Sequence, residues 1–186
     1  MLQSIRQRLS PRNKRQKLKL RVNPVSSFVK NLPENVMQDP ETLHELLINA
    51  CLNGESLSNI RYFAEENQDY MSSLSPQERS RPVTAYCSNM QPQLQVMRYL
   101  VEQTPESLKT TDKFGGLPLH YVCFKGCQDL KVIQYLIEKY PEALRRKTAQ
   151  GKTCRELALL AGNIKIAKFV TESELKYYPE EWTDGI

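Results

Sequence analysis

Asp112-Lys113-Phe114-Gly115-Gly116-Leu117-Pro118-Leu119-His120 opens the stretch that decides the fold, and Asp129-Leu130-Lys131-Val132-Ile133-Gln134-Tyr135-Leu136-Ile137-Glu138-Lys139-Tyr140-Pro141 completes it. Pro118 suits a first helical position, where a missing N–H costs nothing. Gly126 permits the left-handed turn that ends a short helix. Asp129 can then cap a second helix by accepting from its free N–H groups. Leu130, Ile133, Leu136 and Ile137 fall on one stripe of that helix, which gives it a single buried face. Pro141 ends it, because the residue before a proline is biased away from helical geometry. The stretch therefore reads as two short helices joined by a glycine turn.

Working outward, the same pattern recurs. Cys51, Cys87 and Cys123 are spaced by 36 and 36. At that offset Pro82-Val83 falls on Pro118-Leu119, and Leu94, Val96, Met97, Tyr99 and Leu100 fall on Leu130, Val132, Ile133, Tyr135 and Leu136. Gly115 and Gly126 fall on Gly151 and Gly162, after which Ile164, Ile166, Ala167, Phe169 and Val170 continue the second-helix pattern. Upstream, Leu57, Ile60, Tyr62 and Phe63 precede Leu94, Met97, Tyr99 and Leu100 by 37. Self-similarity at such a period marks stacked supersecondary units, none of which can bury its apolar face alone. The expectation is an all-α chain with units at about 42–76, 77–111, 112–147 and 148–177. A basic leader (1–38) and a short tail (178–186) flank them. Thr42 with Glu45, and Thr153 with Glu156, have the spacing of capping boxes. Both predict helix starts.

The segment from Asp112 to His120 resembles the opening of an ankyrin repeat, with Leu117 in place of the usual Thr. Gly126 sits where the ankyrin inter-helix glycine falls, and Val132 to Leu136 resembles the second-helix core. Gly151-Lys152-Thr153 with Leu157-Ala158 looks like the opening of a closing repeat. The Tyr140-Pro141-Glu142-Ala143-Leu144 ending departs from the common form and is similar to longer ankyrin variants. The resemblance covers about three quarters of the chain. It implies a helix-loop-helix solenoid without catalysis of its own, binding a partner protein through loop tips and the concave face. Pro118, Leu119, His120, Gly126 and Gly151 would be its structural residues, with His120 tying adjacent loops through backbone hydrogen bonds. The residues free to bind would be Lys113, Phe114, Phe124 and Lys125. Their counterparts are Gln77, Glu78, Ser88 and Asn89 in the second unit, and Ala149, Gln150 and Lys152 in the fourth. Exposed aromatics such as Phe114 and Phe124 are candidate interface anchors, although Phe124 could equally pack against a neighbouring unit.

Composition narrows the function classes. The chain has 186 residues and a net charge of +5. Residues 1–33 hold nine Lys or Arg and no acid, so the remainder carries −4. Arg12, Lys14, Arg15, Lys17 and Lys19 form the densest basic cluster. It is open to reading as a solvated leader, a nuclear-import signal or part of a transit peptide. Nucleic-acid or acidic-surface binding through this segment is the alternative function, weighed down by the acidic body and the lack of interleaved aromatics. Five cysteines give no disulfide framework, and neither a CxxC motif nor paired clusters suggest zinc. Reduced, buried thiols in a reducing intracellular compartment, cytoplasmic or nuclear, are the expectation. Gly151-Lys152-Thr153 resembles the end of a phosphate-binding loop, but Arg146 stands where that loop needs Gly. His120 has no visible catalytic partner, and His44 is expected to be a partly exposed residue of the first helix. No cofactor, metal or small-molecule substrate is expected. No apolar run is long enough for a membrane-spanning helix. A monomer is expected.

Overall fold

The computed structural model describes residues 39–182. Among them every regular element is helical and none is a strand. The basic cluster at Arg12–Lys19 lies outside the described residues, as do residues 183–186. In chain order the helices are α1 (Pro40–Leu52), α2 (Leu57–Glu66), α3 (Gln68–Ser73), α4 (Pro76–Cys87), α5 (Leu94–Gln103), α6 (Pro118–Lys125), α7 (Leu130–Lys139), α8 (Cys154–Leu160) and α9 (Ile164–Tyr177). Single 3-10 turns follow α5, α7 and α9, at Pro105–Leu108, Pro141–Leu144 and Pro179–Trp182. No helix of the described residues is long and apolar enough to cross a membrane.

Two layers result. In one, α1 packs on α4, α4 on α6, and α6 on α8. In the other, α2 packs on α5 and α5 on α7, while α9 meets α8 and the 3-10 turn after α7. Between the layers lies the apolar core. Val96, Met97 and Leu100 of α5, Val132, Ile133 and Leu136 of α7, and Ile166, Ala167 and Val170 of α9 are all buried. These are the positions the 36- and 34-residue offsets superpose. Cys51, Cys87, Cys123 and Cys154 run through the first layer, each fully buried as a free thiol, and Cys127 is buried beside them.

Local chemistry sets the helix ends. Asp129 accepts from the Lys131 N–H at 3.0 Å and caps α7. Thr153 and Glu156 form the capping box of α8. At Gly126 the backbone turns left-handed with φ 79°, and the Asn163 amide donates to the Cys123 and Phe124 carbonyls at 3.1 and 3.2 Å. That amide satisfies carbonyls left open where α6 stops. The Asn89 amide does the same for the Leu52 carbonyl at the end of α1.

Four expectations are corrected. Helix α1 starts at Pro40, and its cap is Asp39, which accepts from the Thr42 N–H at 3.0 Å. Thr42 is thus the third residue of the helix rather than its cap. Helix α4 begins at Pro76, so Pro82 lies inside it instead of opening it. Ser75 and Glu78 supply a complete capping box there, which extends the helix upstream of the repeat register. Consequently Gln77 and Glu78 occupy the first turn of α4 and not a loop tip. His44 is buried, not partly exposed. It faces the Tyr70 ring of α3 edge-on.

Candidate interaction surface

Two loops of matching construction precede α6 and α8. The Asp112 N–H donates to the Gly116 carbonyl at 3.0 Å, and the Thr148 N–H to the Lys152 carbonyl at 2.9 Å, so each loop closes after five residues at the same 36-residue offset. Asp112 rigidifies the first loop by accepting from the Phe114 and Gly116 N–H groups and from the Tyr121 hydroxyl. The loops touch, since the Ala149 N–H donates to the Phe114 carbonyl at 2.9 Å. Gly115 is needed at this junction. A Cβ there would lie 2.7 Å from the Ala149 nitrogen.

His120 joins the same region from below. Its Nδ1 accepts from the Leu117 N–H at 3.0 Å, which leaves Nε2 to carry the proton and donate to the Arg146 carbonyl at 3.0 Å. Burial lowers its pKa below the ordinary 6.5, against a smaller opposing pull from the Arg146 carbonyl, so it is a neutral tie between loops. The thiols are equally unsuited to attack. Burial pushes Cys51, Cys87 and Cys154 well up and Cys127 up to about 11. The thiolate is the nucleophile, so these side chains stay protonated and inert. Among the described residues no three His, Cys, Asp or Glu side chains converge as a metal site.

The expected binding residues fall into two groups. Lys113 and Phe114 project from the first loop, with the Lys113 ammonium 5.1 Å from the Phe114 ring centroid. Phe114 is 57% exposed. Ala149 and Gln150 are exposed beside them, and Lys152 is half-buried at the loop's closing residue. Phe124 and Lys125 stand at the other end of α6, with Phe124 47% exposed. Eight residues of helix separate the two groups, roughly 12 Å along the axis. Ser88 and Asn89 lie at the end of α4, half-buried, with Asn89 committed to the Leu52 carbonyl. Gln77 and Glu78 are exposed but belong to neither group.

No family model and no curated protein matches this chain.

Two exposed apolar residues, Leu52 and Leu160, escaped the sequence reading. Leu52, Phe124 and Leu160 are 46%, 47% and 66% exposed, and with Ser88 they form a row at intervals of 36. Met90 in the turn after α4, Leu159 at the end of α8 and Ile164 at the start of α9 are exposed as well. The signal was available, because positions 52, 88, 124 and 160 keep the repeat register and three of the four are apolar. Soluble surfaces do not usually line up large apolar side chains in this way.

Proposed function

We propose that the chain is an ankyrin-like stack of four helix pairs and serves as a non-catalytic module that binds a partner protein. Binding uses the loop tips around Phe114 and Ala149 together with the exposed side of the first-layer helices. The row Leu52, Phe124 and Leu160 carries this reading. Apolar side chains recur in three of the four units at a position the core does not require, and exposed apolar rows of that kind suit a partner's surface. Inert thiols and a neutral, structurally engaged His120 fit a scaffold rather than a catalyst. Five free thiols suit a reducing compartment.

The test is affinity capture with matched variants. Phe124→Ser with Leu160→Ser should keep the helical circular dichroism of the parent and lose the proteins the parent retains. Phe114→Ala, tested separately, reports the loop tips. An unchanged set of retained proteins with the double variant would remove this edge from binding.

A further inference from the structure

The outer faces of the second-layer helices carry a repeated arrangement of cation, ring and carboxylate. The Arg61 guanidinium of α2 lies 5.0 Å from the centroid of the Tyr99 ring on α5. Arg98 of α5 lies 5.7 Å from the Tyr135 ring on α7. Each cation comes with a glutamate one helical turn later, Glu65 and Glu102, whose charge is felt by the same ring. Each rung therefore joins one second helix to the next by a guanidinium on a ring face, with a carboxylate alongside. Arginine over an aromatic face is a favourable pairing.

The third rung is incomplete. Following the repeat, Gln134 replaces the arginine, Glu138 keeps the carboxylate, and Phe169 supplies the ring. The Gln134 amide donates to Glu138 at 2.7 Å. Two lysines nearby lie over other rings: Lys139 is 5.8 Å from the Tyr135 ring, and Lys176, at the groove's rim, is 5.2 Å from the Tyr177 ring. Among the described residues no cation lies over Phe169, and neither Glu138 nor Glu172 makes an ion pair. Between α7 and α9 at this rung is a groove of about 230 Å³, lined by Gln134, Glu138, Phe169 and Glu172, with Lys176 and Tyr177 also in its wall.

We infer that this groove is a receptor for an arginine side chain of a partner protein, which completes the third rung in trans. The two filled rungs show the geometry the site is built for. Two carboxylates without an ion pair, Glu138 and Glu172, stand beside the Phe169 ring and supply the complementary charge, Glu138 holding only the Gln134 amide. A guanidinium can stack on the ring and donate to carboxylate oxygens at once, which an ammonium does less well. This surface lies on the layer opposite the Leu52, Phe124 and Leu160 row, so it is independent of that reading and can fail without it.

The experiment measures fluorescence anisotropy of a labelled Gly-Arg-Gly-Arg-Gly-Arg-Gly peptide against the full chain. Versions with citrulline and with lysine are run in parallel. The arginine peptide should bind at least about ten-fold tighter than the citrulline one, and more tightly than the lysine one. Phe169→Leu and Glu172→Gln should each weaken binding about three- to ten-fold. Gln134→Arg, which fills the rung from within the chain, should abolish binding and raise the thermal midpoint. Gln95→Arg adds the same charge on α5 and should change nothing. Equal binding of the citrulline or lysine peptide, or undiminished binding by Gln134→Arg, would overturn the assignment. So would a ten-fold gain on changing Arg12, Lys14, Arg15, Lys17 and Lys19 to Gln, since the chain's own basic segment would then be the occupant.

Discussion

Two buried histidines share a residue type and differ in what surrounds them. His120 satisfies an N–H on one side and a carbonyl on the other. Replacing it by Leu strands both groups, which should cost about 3 kcal/mol in urea denaturation. At His44 neither ring nitrogen reaches a hydrogen-bond partner. The Glu78 carbonyl pulls its pKa upward a little, against the larger effect of burial. That carbonyl is the one Pro82, four residues on, cannot engage. His44→Leu loses no hydrogen bond, so its stability should stay within about 1 kcal/mol of the parent or rise. Burial holds both histidines below their ordinary pKa of 6.5. Below that pH the unfolded chain takes up protons that the folded chain resists. Stability is therefore complete above about 6.5 and falls with acidity. Urea midpoints between pH 7.5 and 5 should decline, and each single Leu variant should decline less. A flat profile in the parent would show that neither ring is buried in solution.

Helix ends are where sequence reading and structure part most. Asp129 and the Thr153–Glu156 box were legible because nothing nearby competed with them. At α1 the spacing of Thr42 and Glu45 outweighed Asp39-Pro40, although a capping residue followed by proline is an equally good start. At α4 the repeat register drew attention to Pro82 by analogy with Pro118. The local signal Ser75-Pro76-Gln77-Glu78 then went unread, and with it the loss of a loop tip in the second unit. Burial of His44 was invisible for a related reason, since it depends on α3 and on the upstream turns of α4. The Gly126 turn makes a prediction of its own. Its φ is positive, and an added Cβ would meet the Asn163 side chain at 2.7 Å. Gly126→Ala should lower stability by about 2 kcal/mol. Asn163→Ala, which leaves two carbonyls of α6 open, should lower it by about 1 kcal/mol. Equal thermal midpoints for parent and Gly126→Ala would mean the turn relaxes at no cost.

Across the whole molecule, stacking order follows chain order, so each pair leans chiefly on its neighbours. Periodicity in the sequence made that arrangement legible, because buried positions recur at the repeat offset from α5 to α9. The interaction surface was less legible. Phe114 and Phe124 are both candidate anchors in the sequence, but the length of α6 separates them. Among the described residues an end pair has one neighbour instead of two. Ending the chain at residue 147 removes Ala158, Ile166, Ala167 and Val170 and uncovers what they bury. The shortened chain should unfold at lower urea and bind an apolar dye in its folded baseline. A midpoint equal to the parent's would mean the last pair contributes nothing to the rest.

The buried sulfurs give this chain an internal clock. Each helix pair holds its own deeply placed thiol, Cys51, Cys87, Cys123 or Cys154. A thiol-specific alkylating reagent cannot reach any of them until that pair opens. Four labelling rates, read by mass spectrometry after digestion, would therefore time four openings in one unmodified chain. Fast labelling at Cys51 and Cys154 with slow labelling between them would describe fraying from both ends. A single common rate would describe one cooperative event.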